Sequence, residues 1–358
     1  MCILLHRYIK KIILLNIAMI FFILILLSSI IRLVDGLRIL DGKDYTVFDL
    51  FFYTFLNLPK DFELFFPVAI LLGGLIGLSI LEIRNELLIM QIFGLSKLQI
   101  AISVFRASIF VFLLNIISNE WLLPYSQKLI CSYRSYMQYN TYLFPEKNKN
   151  LWLLVNKNNI ISIDHMLTTT ELVGINLFYF TKDKKMQKIL YAERAVYYDK
   201  QWSLFNVNEL VFSSSMHFIN NKTYHYIWMT TLTPEILLTI ITPPRTLSIF
   251  KLAYCIKYFE EIGQNFKYYQ LIFWNRIFSP IMGLIMMIVA ILYSYGPFYS
   301  KTISFRIFFG SIIGFSFYIL YQMCGSLGIA YNISPWVGSI LPIILLLIIN
   351  IIFLWKYF

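Results

Sequence analysis

The sequence predicts an α-helical membrane protein with an inserted all-β domain. Hydrophobic residues make up 59% of the 358 residues and charged residues only 14%, a composition far from that of a soluble domain. Long apolar segments occur near both ends of the chain, three before and three after a central polar region. That region contains short alternating segments instead, which are typical of strands. The predicted layout is therefore three membrane spans, a β domain and three further spans.

The first apolar segment covers about residues 12–31 and follows the basic residues His6, Arg7, Lys10 and Lys11. About 20 apolar residues suffice to cross a bilayer core of roughly 30 Å. A cleavable signal peptide is the alternative, but the apolar run is too long and no cleavage site of the A-x-A type follows it. The basic flank predicts a cytoplasmic N-terminus by the positive-inside rule.

The second and third spans are predicted at about residues 65–81 and 100–123. The second contains Gly73 and Gly77 at GxxxG spacing, and the fifth span repeats this spacing at Gly310 and Gly314. Such spacing lets another helix approach closely. Glycines that a membrane helix merely tolerates remain the alternative.

A short polar insert separates these two spans, on the side that the alternation of spans makes cytoplasmic. Its apolar residues recur at helical spacing: Ile83, Leu87 and Met90. This predicts one amphipathic helix over residues 82–94. Gly94 suits the position after a helix end, and Ser96 with Gln99 forms the capping-box pattern that starts a new helix.

The β domain is predicted over residues 124–245, as an antiparallel sandwich or jelly roll of about six to eight strands on the non-cytoplasmic side. Its strand segments are rich in β-branched and aromatic residues and are separated by Asn, Lys and Asp. The preceding domain is then residues 1–123 and the following one residues 246–358.

The last domain starts with a predicted amphipathic helix over residues 247–262, with Gly263 beyond it. Three spans follow at about residues 269–293, 304–324 and 336–355. Six crossings return the C-terminus to the cytoplasm.

The sequence contains no pattern for catalysis or for a bound cofactor. Neither a P-loop motif nor a G-x-S-x-G motif occurs, and the four histidines and four cysteines are dispersed, which predicts no metal site. Cys131 and Cys255 could pair in an oxidising compartment, although nothing in the sequence brings them together.

The spans contain almost no acidic residues. A proton-coupled carrier would need such residues inside its spans. If the protein moves a substrate, the energy would thus come from elsewhere. An assembly scaffold, a permease for another envelope lipid, a lipoprotein or a peptide, and a membrane enzyme remain open as alternatives.

Short motifs along nearly the whole chain resemble the LptF/LptG family, the permeases of lipopolysaccharide export ABC transporters. The motifs are Leu58-Pro59-Lys60-Asp61 with Phe66-Pro67; Glu86-Leu87 with Met90-Gln91 and Gly94; Glu120-Trp121 with Pro124; Leu247-Ser248-Ile249 with Tyr254, Gly263, Tyr269, Trp274 and Pro280; and Gly296-Pro297 with Pro335, Gly338 and Pro342. The Pro59-Lys60-Asp61 segment favours the LptG branch, and the LptF branch stays open because it has the same layout.

The resemblance implies that the chain works beside an LptF-type permease on a dimer of an LptB-type ATPase, in the inner membrane. The family inserts a coupling helix from each permease into the ATPase, and the helix predicted in the polar insert takes that place here. Glu86 matches the acidic residue of the family's coupling helix, with Glu82, Arg84 and Gly94 as its neighbours. The β domain is implied to be a periplasmic jelly roll that passes lipid to an LptC-type protein.

The resemblance also implies a substrate site. Arg32 and Arg38, at the outer end of the first span, match positions where the family places basic residues toward the phosphates of lipopolysaccharide. Guanidinium groups suit phosphate because they bind it through two parallel hydrogen bonds. Where relatives carry a further basic residue after Arg38, this chain has Ile39. No cofactor is implied.

Overall fold

The computed structural model describes residues 2–39, 47–130, 151–156, 158–181, 183–212, 218–295 and 302–357. The chain forms two compact units. A helical unit contains Met1–Ser126 and Gln270–Phe358, and a β unit contains Gln127–Tyr269.

The described α-helices are, in chain order, α1 (Cys2–Ile39), α2 (Val47–Leu56), α3 (Leu58–Ile83), α4 (Glu86–Ile92), α5 (Lys97–Ile117), α6 (Pro234–Ile241), α7 (Ile249–Ile262), α8 (Lys267–Tyr295), α9 (Ile303–Ala330) and α10 (Pro335–Tyr357). A π-helical turn, Ser118–Leu122, extends α5, and regular helix continues to residue 130. Six of these helices, α1, α3, α5, α8, α9 and α10, are long and apolar enough to cross a membrane. The prediction of six spans is confirmed.

The helix α3 forms the centre of the helical unit. It is apolar around most of its circumference, so it can be covered by neighbours on several sides. It contacts α1, α5 and α9, and Phe66, Leu71 and Leu75 are among its fully buried side chains. The helix α2 was not predicted, because its ten residues are too few to cross a bilayer.

The polar insert differs from the prediction of a single helix over residues 82–94. Asn85 adopts a left-handed backbone conformation with φ of 56°, which breaks the helix between α3 and α4. Ile83 is therefore 63% exposed while Leu87, after the break, is 5% exposed. Glu82 belongs to the last turn of α3 rather than to a helix of the insert. Asn accepts this conformation more readily than other residues with a Cβ, which explains why the break falls there.

The second half of the insert matches its prediction. Gly94 has φ of +92°, and the N–H groups of Gly94 and Leu95 donate to Gln91 and Met90, which is the glycine-terminated helix end expected. The Ser96 side chain accepts from the Gln99 backbone while the Gln99 side chain accepts from Ser96. The predicted capping box is confirmed.

The β unit contains one antiparallel sheet in which the described strands follow in sequence order. The strands are β1 (Leu151–Asn156), β2 (Asn159–Thr168), β3 (Glu171–Phe180), β4 (Met186–Tyr198), β5 (Gln201–Phe212) and β6 (Phe218–Trp228). The inserted β domain is thereby confirmed. Each described strand pairs with the next along the chain, so the crossovers that define a jelly roll are not among them.

The core of the β unit lies on one face of this sheet. Trp202 is fully buried there, and its indole N–H donates to the carbonyl of Leu232 over 2.7 Å. The predicted amphipathic helix is present as α7, which contacts β1 and buries Leu252 and Phe259. It is capped by Ser248 and ends at Gly263, with φ of 78°.

Candidate functional site

The short helix α4 has one buried and one exposed side. Leu87 and Met90 belong to the core of the helical unit. The opposite side exposes large apolar side chains: Leu88, Ile89, Ile92 and Phe93. Such a cluster of apolar side chains in a loop between two spans is typical of a contact surface.

Glu86, the first residue of α4, is held against α1. Its Oε1 accepts a hydrogen bond from the Tyr8 hydroxyl over 3.1 Å, and Arg84 Nη1 lies 3.9 Å from the same oxygen. The Arg84 guanidinium is mostly exposed, so this ion pair contributes little stability by itself. Glu86 and Arg84 were predicted from the sequence and Tyr8 was not, because a contact across 78 positions leaves no local pattern.

Arg32 lies against an acidic side chain of a neighbouring helix. Its Nη2 donates to Oδ1 of Asp61, in the first turn of α3, over 2.6 Å. Asp61 is 2% exposed and Arg32 21% exposed. Arg38 is in the last turn of α1, and its side chain lies outside the described residues. The structure thus brings a carboxylate to Arg32.

A second arginine of the helical unit pairs with α3, and sequence analysis missed it. Arg276 of α8 is buried, with Nε 4.0 Å from Glu63 Oε1. Glu120, in the π-helical turn, is close enough to interact electrostatically with the same guanidinium. An arginine within an apolar span is itself a signal, since such residues usually face protein and have an acidic partner.

The four glycines predicted to mediate helix packing lie at contacts between helices. A Cβ on Gly73 would come within 2.6 Å of the Ile17 backbone, and one on Gly77 within 2.8 Å of the Ile13 side chain. These two glycines therefore face α1. The other pair, Gly310 and Gly314, faces leucines of α3.

Two further predictions concern a disulfide between Cys131 and Cys255 and the absence of a metal site. Cys131 lies outside the described residues, so its pairing with Cys255 stays a prediction; Cys255 is buried and has no disulfide partner among the described residues. Within the described residues no group of three or more His, Cys, Asp or Glu side chains is suited to a metal ion.

Comparison with known proteins gives a consistent result over almost the whole chain. Residues 7–356 match the family model described as lipopolysaccharide export system permease LptF/LptG. The chain is 35% identical over 340 residues to the lipopolysaccharide export system permease protein LptG of Escherichia coli K12, covering 94% of both chains. It is 30% identical over 346 residues to LptG of Haemophilus influenzae, covering 96% of both chains. The chain belongs to the LptF/LptG family of lipopolysaccharide export permeases.

Proposed function

We propose that this chain is the LptG-type permease subunit of an ABC transporter that extracts lipopolysaccharide from the outer leaflet of the inner membrane. It passes the lipid to a periplasmic bridge, and a separate LptB-type ATPase dimer supplies the energy. The names of the Escherichia coli and Haemophilus influenzae relatives support LptG, as does the Pro59-Lys60-Asp61 segment. The sequence has no P-loop, which agrees with hydrolysis in another subunit.

The exposed apolar side of α4 is the observation that carries this proposal. An amphipathic helix docks its apolar side into a groove of its partner, and α4 offers Ile92 and Phe93, which are 75% and 63% exposed. Glu86 starts the helix and is fixed from α1 by Tyr8. A force applied to α4 by the closing ATPase is therefore passed to α1 as well as to α3.

The proposed orientation has both termini and α4 in the cytoplasm and the β unit in the periplasm. Basic residues before α1 support it through the positive-inside rule. The partners are an LptF-type permease in the membrane and an LptC-type protein that pairs with the sheet. Among the described strands, β1 and β6 form the sheet edges, which suit addition of a strand from a partner.

The substrate contact in this proposal is phosphate binding by Arg32 and by Arg38, which is six residues further along α1. Both residues lie toward the end of α1 that the proposed orientation makes periplasmic. A guanidinium there meets the lipid headgroup before the acyl chains leave the membrane.

Reversal of the charge at Glu86 tests the proposed function. Glu86→Lys in the purified transporter should lower lipopolysaccharide-stimulated ATP hydrolysis by at least about tenfold, because loss of one partner of a desolvated contact typically costs 2–5 kcal/mol. The measurement is phosphate release by the complex in nanodiscs, together with co-purification of the ATPase.

Glu260→Lys is the matched control, since Glu260 is an exposed acidic residue of α7 in the other unit. It should leave both readouts at the level of the unmodified complex. A chain that co-purifies with no ATPase would refute the proposed function, and normal hydrolysis in Glu86→Lys would refute the role of Glu86.

A further inference from the structure

We propose that Asp61 is a positioning residue for the phosphate site: it is the resident counter-ion of Arg32, which the phosphate of the lipid must displace. The inference rests on the proposed function, because it takes Arg32 as the phosphate contact. It assigns to Asp61 the competition that limits how tightly this contact binds a phosphate.

The hydrogen bonding of the pair is incomplete. Only Arg32 Nη2 and Asp61 Oδ1 are joined, whereas arginine and carboxylate can form two parallel hydrogen bonds. Arg32 Nη1 and Asp61 Oδ2 are both buried without a hydrogen-bond partner in the structure. A buried polar atom without a partner costs free energy. The pair is therefore held by a single hydrogen bond, which a competing anion can replace with two.

The side chains of Asp61 and Arg32 differ in how far a ligand can reach them. Asp61 is 2% exposed and Arg32 is 21% exposed. The backbone of Asp61 is fixed in the first turn of α3, where its N–H donates to the carbonyl of Asn57. An anion can thus reach the guanidinium while the carboxylate stays in place, and it must compete with that carboxylate for Arg32.

This competition favours phosphate. A phosphate monoester carries about −1.5 to −2 charges at neutral pH and three acceptor oxygens, against one charge and two oxygens on a carboxylate. Chloride or a carboxylated headgroup gains less from Arg32 than Asp61 already provides. A resident carboxylate therefore weakens the binding of any anion at Arg32, and phosphate competes best because it makes the strongest contact with the guanidinium.

The neighbouring pair on α3 serves as a comparison. Glu63 lies two residues after Asp61 and pairs with Arg276, but that guanidinium is only 2% exposed. No ligand can reach it without separation of the helices. Glu63 thus has the same chemistry on the same helix without access to a ligand.

The experiment uses the whole transporter in phospholipid nanodiscs and compares binding of lipopolysaccharide with binding of the same lipopolysaccharide after removal of its phosphates. In Asp61→Asn, phosphorylated lipopolysaccharide should bind about tenfold more tightly, equivalent to about 1.4 kcal/mol, with binding of the dephosphorylated form unchanged. Asp61→Ser, also neutral, should raise the ratio of the two affinities in the same direction. Glu63→Gln should leave the ratio unchanged, and Arg32→Gln should remove the preference for phosphate.

The ratio is measured within each variant, so general damage to the fold affects both lipids alike and does not mimic the effect. If Arg32→Gln loses the preference but neither neutral variant at position 61 raises it, the role of Asp61 is wrong and the phosphate role of Arg32 stands. If the unmodified transporter and Arg32→Gln bind both lipids equally, the proposed phosphate contact and the inference are both overturned.

Discussion

Single polar side chains join helices of the helical unit that are distant in sequence. Tyr8 and Glu86 connect α1 to α4, and Arg32 and Asp61 connect α1 to α3. Of these two contacts only Arg32 and Asp61 form a charge pair, and its carboxylate is buried, so removal of Arg32 would leave that charge uncompensated. Together the two contacts join the proposed ATPase surface and the proposed phosphate site to the same helix.

Cys255 in the β unit gives a prediction about reactivity. Burial raises the pKa of the Cys255 thiol to about 11. At pH 8 the folded chain should therefore react with a water-soluble maleimide at least about a hundredfold more slowly at Cys255 than the unfolded chain, since the thiolate is the reacting species. Peptide mass spectrometry after timed labelling, with and without denaturant, measures this.

The same thiol affects stability at high pH. Because the pKa in the folded chain exceeds the ordinary value of 9.0, its contribution to the free energy of unfolding is complete below about pH 9. This contribution is lost as the pH rises from 9 to 11, because the Cys255 thiol ionises in the unfolded chain at a lower pH than in the folded chain. Equal labelling of folded and unfolded chains would contradict the burial of Cys255.

At the scale of the residue, the sequence identifies a candidate functional residue more readily than the residue that it contacts. Arg32 stands out because it follows a long apolar segment, and Glu86 because it occurs in a polar insert. Asp61 gives no comparable signal, since its meaning depends on α3 lying against α1. Arg276 could have been found as a charge inside an apolar span, although not its pairing with Glu63.

At the scale of the element, the polar insert shows which features are local. Gly94 and the pair Ser96 and Gln99 act through backbone groups within a few residues, so the sequence predicts them correctly. The break at Asn85 was not predicted, because asparagine adopts the left-handed conformation in only some contexts. The break turns α4 so that Leu87 is buried and Ile83 is not.

The contact between α1 and α3 depends on Gly73. Gly73→Ala should lower the free energy of unfolding of the purified chain by about 1–3 kcal/mol, the usual effect of inserting a methyl group into a filled contact. The new Cβ would lie 2.6 Å from the Cα of Ile17, and backbone cannot move aside as a side chain can. Thermal unfolding in detergent measures the change.

Gly328→Ala is the control for this substitution, because Gly328 is also in a span and its Cβ would meet its nearest neighbour at 3.6 Å, an ordinary contact. This variant should unfold at the temperature of the unmodified chain or slightly above it, since alanine favours helix over glycine. A loss of the same size in both variants would show that the close approach of α1 does not depend on Gly73.

At the scale of the whole molecule, this is a multi-pass inner membrane protein with a β domain inserted between two sets of three spans. The sequence predicts this layout well because length and hydropathy identify spans, and an alternating pattern identifies strands. The order of the strands is a property of tertiary pairing. It appears in the structure as a sequential sheet, which the sequence could not distinguish from other antiparallel arrangements.

The proposed orientation yields a prediction about access from the periplasm. The matched sites are Leu98, Thr170 and Trp355, each exposed. Leu98 lies in the first turn of the third span, Thr170 after three spans and Trp355 after six. In a chain whose four cysteines are replaced by serine, Thr170→Cys should react with a membrane-impermeant maleimide in spheroplasts. Leu98→Cys and Trp355→Cys should react only after the inner membrane is opened, because an even number of crossings returns the chain to the side of its N-terminus.

Labelling after solubilisation in detergent is the control for each site, since all three must react once no membrane separates them from the reagent. Reaction of Leu98→Cys in intact spheroplasts would put α4 in the periplasm, out of reach of any cytoplasmic ATPase. The orientation and the coupling role of α4 would then fail together. The contacts of Glu86 with α1 would remain, because they belong to the helical unit whichever way it crosses the membrane.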